Sequence, residues 1–491
     1  MSIDNFRLKN SIPGPPNLPI IGSIPYLLQY RGVLSTFYAL SHKYGPVVGY
    51  YSGGRPKVII GDADILRKIF SMDEASGRPH QGMRGAFRYG GRTGPVRGLL
   101  FSSGQEWRDQ RRFVMRSLGE FGFGKKSMDS LITEEANKLK EFMETHCNTS
   151  FDLNLHMNTA VINSLWVIAV GEVLDFNDPE VRHSIETIDK AIKSASHMHP
   201  LTLLFPKLQK LFPHYFGFDH METAVNTLKK MIDRTSEQHE DTFDLDNMRD
   251  LLDMYISKRS RAKFGSSFHG NIGKQNQQIG LLDLFLAGSE TTSTTLLWAI
   301  LFLLHHPDVQ DKLHAELDEV VCKSYISFME GEKRLPYTKA VIKEVLRCSS
   351  IVYAGIPHST SAPINIEGYV IPKGTTILAN VCYIMHDPKK WDEPSVFNPD
   401  RFLRNPHHPN FMPFLVGKRF CLGQALAEKQ LFLFFTTLVQ NFSFSVPAGE
   451  KLPSYDILPT DGSPTSSSIV RYAPPYKVCL KKRYCINEGG D

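Results

Sequence analysis

Residues Phe414 to Gly423 read F-L-V-G-K-R-F-C-L-G and set one thiol, Cys421, between a glycine-bearing arginine turn and the apolar start of a helix. A cysteine sulfur becomes an anionic ligand only where its surroundings favour thiolate, as backbone N–H groups at a helix N-terminus and nearby cations do. Gly417 and Gly423 remove side-chain bulk where a flat macrocycle must approach the backbone. Arg419 can point toward an anionic edge of that macrocycle, and Phe414 can shield the sulfur from water. In this context Cys421 reads as a ligand of haem iron, whose thiolate would favour O–O cleavage over reversible oxygen storage. Alone, the better reading would be a buried structural cysteine.

Three further constellations accompany it. Ala287 to Thr292, A-G-S-E-T-T, opens a run of five hydroxyl residues from 291 to 295 in an otherwise apolar stretch. Glycine and hydroxyl side chains weaken a helix interior, which predicts local distortion there. Glu290 and Thr291 could relay protons to bound dioxygen; alone, the segment reads as a polar stripe facing another helix. Glu344 and Arg347 lie three apart on one helical face, and Arg401 follows in F-N-P-D-R-F; alone, the first two form a surface pair of small value. Trp107 and Arg111 lie four apart and point the same way from one helix. Without the cysteine segment they would mark an amphipathic helix with one aromatic anchor.

The Cys421 segment resembles the haem-binding signature of the cytochrome P450 family, with Phe414, Gly417, Arg419, Cys421 and Gly423 all in the expected places. A-G-S-E-T-T is similar to that family's oxygen-activation motif, and Glu344, Arg347 and Arg401 match the spacing of its buried Glu-Arg-Arg cluster. Trp107, Arg111 and His358 match positions that contact a haem propionate. The stretches I-P-G-P-P, F-G-F-G-K-K-S, L-P-Y-T-K-A-V-I-K-E-V and F-N-P-D-R-F resemble the animal microsomal family 2 type.

The resemblance implies a cytochrome P450 fold, with heme b (iron-protoporphyrin IX) between a long central helix and a cysteine loop that precedes a helix. Cys421 would be the metal ligand, and Glu290 and Thr291 the catalytic pair. It further implies a monooxygenase that inserts one atom of O2 into a lipophilic steroid, fatty acid or xenobiotic. Electrons would come from NADPH through NADPH-cytochrome P450 reductase, with cytochrome b5 as an optional second donor, at the cytosolic face of the endoplasmic reticulum membrane. Two other readings stay open: a haem-thiolate isomerase or peroxygenase, and a haem-based binding protein without turnover. The first two chemistries need no proton relay, so an intact Glu290-Thr291 pair favours oxygen activation.

The elements that must position these residues are mostly helical. Periodicity predicts helices over 34–44, 62–71, 104–118, 127–147, 156–171, 179–195, 219–237, 246–258, 279–305, 307–322, 336–348 and 422–440. Strands are expected at 47–51 and 57–60 around Ser52-Gly53-Gly54, across 364–381, and near 442–446 and 476–480. The expected class is mainly α with a minor β lobe (α+β). A proline-rich lead-in, 1–22, precedes one domain, 23–491, because no low-complexity linker divides the chain.

Composition agrees with a large globular enzyme: 42% hydrophobic and 22% charged residues over 491 positions. Seven scattered cysteines without CxxC spacing argue against a disulfide framework or zinc site. They fit a reducing compartment, in which the sequons at Asn148 and Asn441 read as chance matches. The net charge of +5 comes without a Lys/Arg-rich tract, so no nucleic-acid partner is expected. Arg108, Arg112, Lys125, Lys126, Lys418 and Lys429 would cluster on the cysteine side and steer an acidic electron donor. Arg84, Arg88, Arg92 and Arg97 raise an acidic substrate, a weaker reading because glycine-rich loops often carry solvent-facing arginines. Pocket walls are expected at 83–100, 183–204, 285–291, 351–356 and 466–469.

No window of about 18 apolar residues could span a bilayer. Only twelve residues precede Pro13, where microsomal relatives carry an anchor, so either the sequence is truncated or attachment is peripheral. The aromatic-rich segment Leu201 to Phe218 could dip into a membrane interface.

Overall fold

The computed structural model describes residues 12–30, 32–79, 96–121, 126–174, 218–321, 326–457 and 470–484, with a few single positions between 175 and 217. The expected helix over 179–195 lies almost wholly outside the described residues.

A central helix, Gly270–His305, is surrounded by helices Asn154–Val170, Phe218–Asp241, Pro336–Ser349 and Gln424–Asn441. Its second half is buried nearly all round, as expected of a helix inside a large core. Trp298 and Phe302 lie in one apolar cluster with Trp166, Phe285 and Phe434.

The central helix starts at Gly270, earlier than the expected 279, because the polar run Lys274 to Gln278 conceals helical periodicity. Those side chains are partnered inside the protein. Asn276 donates to Ser267 O at 3.0 Å, and Gln277 donates to Ser236 Oγ at 3.2 Å while accepting from Arg259 at 2.8 Å. Buried polar groups satisfied in this way are tolerated in a core.

The β lobe holds a four-stranded sheet in the order β1-β2-β7-β4: β1 (Val47–Ser52), β2 (Arg55–Ile60), β7 (Thr376–Ala379) and β4 (His358–Ser359). Strands β1 and β2 form the expected hairpin, with Ser52 opposite Arg55 and Gly53 at φ +60°. The hairpin β5 (Ile364–Ile366) and β6 (Tyr369–Ile371) turns on Glu367 and Gly368, both at positive φ, the geometry that matches strand twist. The third sheet pairs β3 (Ser150–Phe151) and β8 (Phe442–Ser445) with β9 (Val478–Lys482).

Glu344 and Arg347 are fully buried and joined bidentately, both N···O distances being 2.8 Å. Arg401 Nε reaches the same carboxylate at 3.0 Å, and Asn398 N at 2.9 Å. Further guanidinium N–H groups donate to carbonyls of Met385, Asp392, Glu393, Pro394 and Val396 and to Cys348 Sγ. One carboxylate thus ties Pro336–Ser349 to the chain leading into the Cys421 loop.

Lys429 does not lie on the surface as the steering reading required. Position 429 falls on the inward face of Gln424–Asn441, where its ammonium meets the buried Asp129 at 2.5 Å.

Glu344→Gln leaves two guanidiniums without a countercharge, and the expected stability loss is about 3–5 kcal/mol, by analogy with halved buried ion pairs. Urea unfolding checks this, and a loss under about 1 kcal/mol contradicts a buried-charge role.

Candidate active site

The Cys421 loop closes on itself. Cys421 N donates to Phe414 O at 2.9 Å, Phe420 N donates to Gly417 O at 3.2 Å, and Gly423 is the N-cap of Gln424–Asn441. Arg111 donates to Phe420 O at 2.8 Å and lies 4.8 Å from the Phe420 ring centre. Burial pushes the Cys421 thiol pKa up; the Gly423 N–H and the Arg111 charge oppose this without overcoming it. The N–H at the helix N-terminus and the nearby guanidinium thus act in the direction expected from sequence, against burial. A coordinating metal would add to them.

The two loop glycines serve different purposes. At Gly417, with φ +78°, a Cβ would lie 2.2 Å from Phe70 O, so this glycine answers a close approach by helix Ala63–Ser71 rather than by a macrocycle. At Gly423 a Cβ would meet nothing within 4 Å. That open side fits a flat group lying against the backbone.

Cations gather beside the loop. Arg419 is buried, stacks on Trp107 at 3.6 Å, and donates to Ser76 O, Leu99 O and Ser102 O at 2.9, 3.3 and 2.7 Å. Arg78 donates to Leu100 O, Ile356 O and Pro357 O. His358 stacks on Phe70 at 3.8 Å and donates Nδ1–H to Ala75 O at 2.8 Å. Burial, then the Arg78 charge, keeps its pKa well below the usual histidine range. It is therefore neutral, and its one N–H is committed. A second donor from that ring would need an anion to restore its charge.

Sequence reasoning missed Arg78. Its signal was the preceding Gly77, where a Cβ would lie 2.6 Å from Ser359 O, the contact that brings Arg78 beneath β4.

The central helix is continuous through Ala287-Gly288-Ser289-Glu290-Thr291-Thr292. Its hydroxyls bond back within the helix: Thr291 Oγ1 donates to Ala287 O at 2.8 Å, Ser293 Oγ to Ser289 O at 2.9 Å, and Thr295 Oγ1 to Thr291 O at 2.8 Å. Ala287 is exposed in the middle of this core helix, and Thr291, one turn on, shares its face. Glu290 is buried, and successive helical side chains diverge by about 100°. The pair therefore does not face the opening together.

Asp283 was also missed. Its Oδ2 accepts from Leu99 N and Leu100 N at 2.6 and 2.9 Å, while its buried Oδ1 has no hydrogen-bond partner among the described residues. Those peptides present their carbonyls to Arg419 and Arg78, so Asp283 holds the turn that orients both arginines.

Arg97 pairs with Glu106 at 2.6 Å and is mostly buried, which removes it as a cation facing an acidic substrate. Arg84, Arg88, Arg92, Lys125 and the wall segments 183–204 and 466–469 lie mostly or wholly outside the described residues.

A fold built this way fits a haem: one thiol, an open glycine beside it, buried cations at one edge and an exposed small residue in a core helix. Gly417→Ala is expected to destabilise the protein by about 1–3 kcal/mol through strain. Gly423→Ala should leave apoprotein stability within about 0.5 kcal/mol. Chemical denaturation of both variants checks this, and equal losses would contradict it.

Burial raises the Asp283 carboxyl to about 7. An unfolded Asp titrates near 4. Between those values the folded protein keeps a proton that the unfolded chain releases, so this group's contribution to stability falls as pH rises from about 4 to about 7. Asp283→Asn should flatten that slope in urea unfolding followed against pH; an unchanged slope contradicts the assignment.

The cytochrome P450 family profile matches residues 12–480. Cytochrome P450 2J3 of Rattus norvegicus is 35% identical over 454 residues, covering 91% of this chain and 88% of the relative. Cytochrome P450 2J2 of Homo sapiens is 35% identical over 457 residues, with coverage of 91% and 88%. Cytochrome P450 2D3 of Rattus norvegicus is 33% identical over 483 residues, with coverage of 96% and 93%. Family membership carries haem with cysteine thiolate ligation, redox partners, a lipophilic substrate and O2. The chain belongs to the cytochrome P450 family, alongside family 2 relatives, and is a haem monooxygenase.

Proposed function

We propose that Cys421 would hold heme b through its thiolate. On this reading electrons arrive from NADPH through a flavoprotein reductase, with cytochrome b5 as an optional second donor, and one oxygen atom enters a lipophilic small molecule. The observations that support the reading are a partly exposed Cys421 with the open side of Gly423, the buried cations beside that loop, and an exposed Ala287 on the core helix. When bound, the haem supplies the redox centre at which dioxygen is reduced, one atom going to substrate and the other to water.

The chain's own residues do the rest. Arg111 and the Gly423 N–H stabilise negative charge on the Cys421 sulfur, while Phe414 and Phe420 limit its access to water. Arg419, Arg78, Trp107 and His358 hold the haem carboxylates. Thr291 spends its hydroxyl proton on Ala287 O, so its lone pairs remain as acceptors that can orient a water. Glu290, behind it, supplies protons to that water rather than through direct contact with Thr291.

The likeness to family 2 relatives supports membrane attachment at the cytosolic face of the endoplasmic reticulum. Among the described residues no helix is long and apolar enough to cross a membrane. Leu211 and Phe212, 69% and 58% exposed, support an interfacial contact through the 201–218 segment.

The test is oxygen accounting in the reconstituted holoenzyme with reductase, NADPH and a panel of lipids and drugs. Isotope from labelled dioxygen should appear in product; label-free product, or none with any lipid, contradicts the reading. Thr291→Val should lower product formed per NADPH by about 10-fold or more while hydrogen peroxide rises. Unchanged coupling would remove Thr291 from proton delivery.

A further inference from the structure

Asp73 follows helix Ala63–Ser71 and stands between two elements of the thiol side. Its Oδ1 accepts from Lys418 Nζ at 2.6 Å and from Arg108 Nη1 at 3.3 Å. Lys418 lies on the turn Gly417–Arg419 of the Cys421 loop, and Arg108 lies on helix Gly104–Phe121 beside Trp107. The three side chains remain 59%, 39% and 43% exposed, so the contacts meet solvent on one face. Next to them is a shallow hollow of about 300 Å³ lined by Trp107, Arg108, Arg111, Arg112 and Met115. Arg112 is exposed and forms no ion pair among the described residues.

This proximity is built into the fold. Gly417 packs against Phe70 O so tightly that no side chain fits there, and Phe70 is three residues before Asp73. The backbone contact fixes Lys418 beside the start of the 72–76 turn, and the side-chain bond of Ser76 to Asp73 O, at 2.7 Å, holds that turn.

We propose that Asp73 is an internal competitor for the acidic electron donor: it occupies Lys418 and Arg108, two of the cations that would otherwise meet the donor's carboxylates, and so limits how fast the donor associates. This inference rests on the reading above that the basic thiol-side surface receives the reductase. Exposed ion pairs are weak, so carboxylates arriving on a partner can displace Asp73 without unfolding anything. Until they do, the face carries less positive charge than its arginines and lysines imply. A charge at the rim of a docking face acts mainly on association rate and on its salt dependence.

The experiment measures first-electron transfer to the haem-loaded enzyme under carbon monoxide, with an NADPH-fed flavoprotein reductase as donor, across a salt series. Asp73→Asn should raise the second-order rate by roughly 2- to 5-fold at low ionic strength, the gain vanishing as salt screens the face. Reduction by dithionite, a small donor that needs no docking, should not change. Arg112→Glu, in either background, should slow the reductase-driven step and leave the dithionite step alone. If Arg112→Glu slows reduction but Asp73→Asn gives no acceleration, or slows it, the competitor role is overturned while the docking reading stands. If Arg112→Glu has no effect on reductase-driven reduction, the docking reading falls and the competitor role falls with it.

Discussion

Burial disfavours the charged form of the Cys421 sulfur, and the groups nearest to it oppose that effect. One N–H at the N-cap Gly423 and one guanidinium, Arg111, lean toward thiolate without securing it. A metal cation makes thiolate the stable state. The protein's contribution is to hold the sulfur in a hydrogen-bonded loop and leave the side of Gly423 open beside it.

Rigidity there comes from long-range polar contacts rather than from the loop's own sequence. Arg419 reaches three carbonyls more than 300 residues away in the chain. Asp283 fixes two of the peptides in that same segment from the opposite side. Glu344 ties the helix before the loop to the segment entering it. Arg419 and Glu344 are charged and buried, so each is stable only with its partners present, while burial favours the protonated form of Asp283. The site is therefore supported by electrostatic neighbours as well as by apolar packing.

Much of this was legible in the sequence, for identifiable reasons. Long amphipathic or wholly apolar helices announce themselves by periodicity, and the β1–β2 hairpin and the Glu367-Gly368 turn by residues that tolerate positive φ. The polar start of the central helix was not legible, because Asn276, Gln277 and Gln278 look solvent-facing until their partners on other elements are known. Lys429 misled for a related reason: a lysine on a helix reads as surface until Asp129, 300 residues earlier, is found across from it. Gly417 gave the right residue for the wrong cause, since it serves helix packing. Arg78 and Asp283 act through backbone groups distant in sequence, and no local pattern encodes such contacts.

Thiolate ligation at position 421 is tested most directly by the reduced carbon monoxide difference spectrum of the holoprotein and of Cys421→Ser, both purified with haem. The wild type should show the red-shifted Soret band of a thiolate-ligated ferrous carbonyl, and the variant should lose it while still binding carbon monoxide. A wild-type spectrum without that band, or its persistence in Cys421→Ser, would contradict ligation by this residue.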